Sequence, residues 1–200
     1  MRQRVAMNQD RIHVLGLAAS PRREGNSETL LDAFLDGAVS AGAVIEKIRL
    51  AERKIAPCIA CEKCYETGVC CLQDDAADIL EKLLVAHVIV LATPVYFYSV
   101  TTQAKLLIDR CQALWARQEL LGQTRRHRSK GVLLAVAGSR GEKLFDGVRL
   151  TTRYWMNTFL ADLVAERVFR GVDDRDGFCR RAADLEDVRR LGKSVAEEII

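Results

Sequence analysis

Ile12-His13-Val14-Leu15-Gly16-Leu17 passes directly into Ala18-Ala19-Ser20-Pro21-Arg22-Arg23-Glu24-Gly25-Asn26-Ser27. The first segment has the continuous apolar composition of a strand buried on both faces, and the second is a polar turn. Leu30-Leu31, Phe34-Leu35 and Val39 then recur at helical spacing, so residues 27–41 read as a helix. A strand, a short turn and an amphipathic helix form the opening of a βαβ unit.

The same alternation runs outward along the chain. Strands are expected at residues 44–50, 87–92, 131–136 and 163–172, and helices at 75–85, 101–118, 150–160 and 184–200. Five apolar strands alternating with five helices give an α/β fold with helices on both faces of a parallel sheet. With five strands the expected order is 2-1-3-4-5, the flavodoxin-like doubly wound arrangement. Residues 1–10 read as an N-terminal arm and residues 11–200 as one domain, interrupted by a cysteine-rich insert at 55–72.

Ligands of such sheets bind outside the carboxyl ends of the strands, where strand order reverses. The loop after the first strand ends at a helix N-terminus, whose free N–H groups suit a phosphate. Ser20, Asn26 and Ser27 add donors and Arg22 adds a charged fork. Neither the P-loop nor the G-x-G-x-x-G fingerprint is present. The loop after the third strand reads Pro94-Val95-Tyr96-Phe97-Tyr98-Ser99. The chain has six Phe, four Tyr and two Trp, and three of these stand together here, which suits a planar heterocycle better than a packing plug. The loop after the fourth strand, Gly138-Ser139-Arg140-Gly141, lets the backbone approach a ligand and offers Arg140 to a polar ring edge. Together these describe a flat-ringed mononucleotide, best fitted by FMN.

Ser20-Pro21-Arg22-x-x-Gly25-Asn26-Ser27, then Pro94 to Ser99 with Lys105 and Asp109-Arg110, resemble the flavodoxin-like NAD(P)H-dependent FMN reductases. The resemblance extends to about residue 145, and the remainder matches only in pattern. It implies an FMN-dependent oxidoreductase with NAD(P)H as a donor.

The chain has seven cysteines, five of them between Cys58 and Cys71. An odd, clustered set argues for metal or redox chemistry rather than a disulfide framework. Cys58, Cys61, Cys64 and Cys70 follow C-x2-C-x2-C-x5-C, a compact run of the kind that holds iron–sulfur clusters. Structural zinc more often uses two separated pairs, and a disulfide pair or a cysteine loop without metal are further alternatives. This spacing resembles the iron–sulfur flavoproteins. That resemblance implies that these four cysteines ligate a 4Fe-4S cluster, which passes electrons to FMN across a subunit interface. Cys71 is expected to point away from such a site, and Cys111 and Cys179 to be ordinary residues.

Thirty basic against 27 acidic residues give a net charge of +3, with no concentrated basic face, so no nucleic-acid partner is expected. The short basic run Arg125-Arg126-His127-Arg128 reads as a solvated loop, and His13 and His87 as core residues. The longest apolar stretch, 83–100, contains His87, Thr93 and Pro94 and reads as a helix end and a buried strand, so no membrane partner is expected. Residues 1–10 lack the apolar core of a secretory signal, and the expected location is cytoplasmic. The functional expectation is an FMN flavoprotein exchanging electrons with a 4Fe-4S cluster, acting as a dimer or tetramer with ferredoxin or a small molecule as electron partner. The alternatives are a cluster-free NAD(P)H-dependent FMN or quinone reductase and a non-catalytic redox-sensing module.

Overall fold

The computed structural model describes residues 11–123 and 127–199. The expected N-terminal arm, Arg125 and Arg126 of the basic run, and Ile200 lie outside the described residues. Five strands form one sheet: β1 (His13–Ala18), β2 (Val44–Arg49), β3 (Val88–Pro94), β4 (Ser129–Ala137) and β5 (Ala161–Arg170). All neighbouring pairs are parallel and the order is β2-β1-β3-β4-β5, as the alternation implied. The helices are α1 (Asn26–Ser40), α2 (Lys63–Thr67), α3 (Asp75–Val85), α4 (Thr102–Arg110), α5 (Gln112–Glu119), α6 (Asp146–Asn157) and α7 (Ala182–Glu197).

The central strands are apolar on both faces because both are covered. Val88 and Val90 point into a core closed by α1 and α7, including Leu30, Phe34, Val188 and Val195. Ile89 and Leu91 point into the opposite core, against Ile79 and Leu83 of α3, Leu107 of α4 and Trp155 of α6. The outer strands carry charge instead. β2 reads Val-Ile-Glu-Lys-Ile-Arg, and most of β5 is partly exposed, as suits sheet edges. α1 and α7 approach through two glycines: a Cβ on Gly37 would overlap the Arg189 carbonyl, and one on Gly192 the Phe34 carbonyl.

Several boundaries differ from expectation. The single helix expected at 101–118 is two helices. Cys111, at φ −68° and ψ 0°, closes α4 and opens α5. α6 starts at Asp146 rather than Leu150, and β5 starts at Ala161. In β5 the pairing with β4 shifts between Gly131 and Val132, where one extra residue enters as a bulge. The insert contains the short helix α2, which the sequence pattern did not signal. No described helix is long and apolar enough to cross a membrane.

Candidate functional site

Hydrogen bonds beyond the strands lock the loops at the carboxyl edge together. Ala19 donates to the Ala92 carbonyl (2.9 Å), Val95 to Val136 (2.8 Å) and Val172 to Ala137 (3.0 Å). The buried Thr101 hydroxyl donates to the Ala19 carbonyl at 2.7 Å, tying the end of the aromatic loop to the first loop. These bonds frame a cleft between the loops after β1 and β3, the two strands between which chain direction across the sheet reverses.

One end of the cleft is built by α1. Gly25 is its N-cap and supplies no side-chain cap, so the first-turn N–H groups remain open to a ligand. The approach to the helix is held from behind. Buried Glu28 accepts from the Glu24 N–H (2.9 Å) and ion-pairs with Lys47 (3.2 Å) and Arg49 (3.0 Å). Glu24 itself is left-handed, at φ 54°. The Ser20 hydroxyl accepts from the Arg22 N–H at 3.1 Å, which turns the loop back toward α1.

The aromatic loop is a tight two-residue turn. Tyr96 and Ser99 exchange both backbone hydrogen bonds, at 3.0 and 2.9 Å. Between them Phe97 and Tyr98 hold φ of 49° and 63°. Positive φ at both central residues is the pattern that normally calls for Asn-Gly, and each bulky residue held there costs about 1–2 kcal/mol. Phe97 is 102% exposed, so packing gives nothing back. Such strain concentrates at functional sites. A Cβ on Gly147, at the start of α6, would overlap the Tyr98 carbonyl, which shows how closely this turn is seated.

Of the residues expected at the site, Ser20, Arg22, Asn26, Ser27, Pro94, Val95, Tyr96 and Gly138 line this one cleft. Phe97, Tyr98, Ser99, Ser139, Arg140 and Gly141 do not line it. Tyr98 and Gly141 are neighbours, since a Cβ on Gly141 would stand 3.6 Å from the Tyr98 hydroxyl. The Arg140 guanidinium lies against Gly171, leaving 2.7 Å for a Cβ there, so in this structure it faces the β5 end rather than the cleft. The sequence reading missed the loop after β5. Asp173 and Arg175 line the cleft, and Asn26 Nδ2 donates to the Asp174 carbonyl at 2.7 Å. A Cβ on Gly138 would stand 2.7 Å from Asp173 Oδ1, so glycine is what lets this acid sit at the cleft wall. The signal available in the sequence was position: residues 173–175 directly follow the last strand.

The cysteines form a second cavity. Cys58, Cys61, Cys64, Cys70 and Cys71 all line it, with Tyr65 and Arg110. It shares no lining residue with the cleft. The insert is anchored on α5: Gln112 donates to the Tyr65 hydroxyl (3.3 Å), Arg117 Nε to the Gly68 carbonyl (2.6 Å), and Tyr65 meets Trp115 edge-on at 5.9 Å. Cys71 does not point away as expected. Its Sγ is 3.2 Å from Cys61 Sγ, because the chain bends at Cys71 and successive side chains do not alternate as in a strand. The Lys63 N–H and the neighbouring Cys71 thiol lower the Cys61 pKa. Burial and the neighbouring cysteines push the Cys64 thiol up. No group of three or more His, Cys, Asp or Glu among the described residues stands in single-ion geometry. A zinc ion needs four ligands about 2.0–2.3 Å from one point. A four-iron cluster gives each sulfur its own iron and therefore takes sulfurs spread around a cavity. The donor set is all thiol, which suits either a four-cysteine zinc ion or a four-iron cluster.

Cys111 is buried, accepts from Trp155 Nε1 at 3.1 Å, and has its pKa pushed up by burial to about 12. It is a core residue, as expected. His13 and His87 are only partly buried, and their rings stack at 5.8 Å.

A parallel five-stranded sheet in this order, with its cleft at the switch point, is the flavodoxin-like fold. Solved structures agree. The fold is similar to an azoreductase of Bacillus anthracis (TM-score 0.70, 16% identity, 92% of this chain and 99% of that one). It is also similar to an NAD(P)H:quinone oxidoreductase of Methanothermobacter marburgensis (TM-score 0.66, 21% identity, 92% and 97%). The family described as NADPH-dependent FMN reductase matches residues 12–161, and the chain belongs to that family, as an FMN-dependent oxidoreductase. Along 93% of its length it is 35% identical to an iron–sulfur flavoprotein of Methanocaldococcus jannaschii, covering 96% of that protein. An iron–sulfur flavoprotein of Methanosarcina thermophila is 32% identical over 64% of each chain.

Proposed function

We propose that the chain moves electrons between a 4Fe-4S cluster in the cysteine cavity and FMN in the cleft. The observation that carries this is the gathering of Cys58, Cys61, Cys64 and Cys70 around one cavity in a member of an FMN-binding family. The relatives named iron–sulfur flavoproteins support the same reading.

Bound FMN supplies hydride and single-electron chemistry, and the cluster supplies one electron at a time. The chain's own work is binding and positioning. The first turn of α1, with Ser20 and Ser27, holds the phosphate, and Arg22 and Arg175 balance its charge. Pro94, Val95 and Tyr96 wall the cleft where a flat ring lies, and Gly138 keeps that wall open. Phe97 and Tyr98, displayed at the rim, cover the ring from a neighbouring copy, so the working unit is a homo-oligomer. The two cavities share no lining residue, and electrons pass from the cluster of one copy to the flavin of another. Residues 11–200 act as one FMN-binding unit, with ferredoxin or a reduced nicotinamide as donor.

Absorption spectroscopy and metal analysis of anaerobically purified chain test the reading. FMN and about four irons per chain are expected. Cys61→Ser is expected to lose iron and keep flavin. Stoichiometric zinc, or flavin with no iron, overturns the cluster and leaves the cluster-free reductase.

A further inference from the structure

Cys70 and Cys71 are adjacent, and either spacing suits a fourth ligand in the insert. Their surroundings differ. Cys71 lies beside Cys61, whereas Cys70 Sγ accepts a hydrogen bond from Arg110 Nε at 3.2 Å. The Arg110 side chain is fully buried, which is rare for an arginine and demands pairing. All three nitrogens of its fork donate. One terminal nitrogen donates to Asp74 Oδ2 (2.6 Å) and the Ala56 carbonyl (3.0 Å), and the other to the Leu72 carbonyl (3.0 Å). Asp74 is fixed in turn. It accepts from the Ala56 N–H (2.9 Å) and caps α3 through the Ala76 N–H (3.0 Å). Both ends of the cysteine insert are therefore clamped to one guanidinium, and its Nε–H is aimed at one sulfur.

We propose that Arg110 is the positioning residue of the cysteine cavity: its Nε–H marks Cys70, not Cys71, as the fourth ligand and tunes the potential of the bound cluster. This rests on the cluster reading above. A hydrogen bond to a ligand sulfur withdraws negative charge from it. The reduced cluster carries one more negative charge, so that bond favours reduction and raises the midpoint potential. A lysine keeps a cation for Asp74 but has no planar fork to reach Ala56, Leu72 and Cys70 together.

The test uses the full chain with FMN, purified anaerobically, and reads iron per chain, the electron paramagnetic resonance of the reduced protein, the midpoint potential and thermal unfolding. Cys70→Ser is expected to lose iron, and Cys71→Ser to keep it. Arg110→Lys is expected to keep iron with a lowered midpoint potential and an altered resonance signal. Asp74→Asn, which removes the balancing carboxylate, is expected to raise the potential, and it decides the matter if Arg110→Lys does not fold. Iron lost from Cys71→Ser but kept by Cys70→Ser overturns the proposal. So does a wild-type potential in Arg110→Lys, or in Asp74→Asn where that variant decides. A wild-type chain without iron fails the cluster reading itself, and is distinguished because it needs no variant.

Discussion

Phe97 and Tyr98 occupy a backbone conformation in which side chains are a burden, and Phe97 buries nothing in exchange. Phe97→Gly relieves part of that strain, offset by the greater entropy of glycine in the unfolded chain. The expected outcome is a folded state up to about 1 kcal/mol more stable, with weaker flavin binding, checked by thermal unfolding and flavin titration. Weaker binding would show that the strain is kept for the ligand. Arg22→Ala removes a charged donor from the proposed phosphate end. Loss of about 1.5–3 kcal/mol is expected, roughly tenfold or more in affinity, with no change in unfolding, since Arg22 is exposed. Asn26→Ala differs, because it also frees the Asp174 carbonyl and the loop after β5. At this scale the first loop was legible, since a strand that stops at Ala18 and a helix that starts at Asn26 expose their own donors. Asp173 and Arg175 were not, because they reach the cleft through the tertiary path of β5, which no local pattern encodes.

The alternation of apolar strands and amphipathic helices was readable because every central strand is buried on two faces and the helices that pack on the sheet are each buried on one. Local conformations without a compositional mark were not. The break at Cys111 involves neither glycine nor proline, and its backbone stays right-handed, so the apolar spacing runs through it unchanged. α2 is entered through left-handed Ala60 and Glu62, residues that seldom advertise such a turn. Its place is set by contacts with α5 instead. The α1–α7 packing was equally silent, though it has a sharp consequence. Gly37→Ala puts a methyl group into the Arg189 carbonyl, and the helices must part or bend. Destabilisation of about 1–3 kcal/mol is expected by urea denaturation, even though alanine favours helix at an isolated position.

For the whole molecule, the open cleft with an exposed aromatic turn predicts assembly. Light scattering is expected to give at least a dimer at micromolar concentration. Truncating Phe97 and Tyr98 together to serine is expected to weaken that association, because exposed apolar patches usually mark interfaces. The two cavities are also built on different supports, the cleft on the sheet edge and the cysteine cavity on α5 and Arg110. In the proposed arrangement they meet through a second molecule, and this sets the order of the reaction. Electron passage from iron to flavin becomes a property of pairs, so its rate per chain should fall with dilution once copies separate. The spectrum of the cluster should stay as it was, and an isolated copy would then behave as an open circuit.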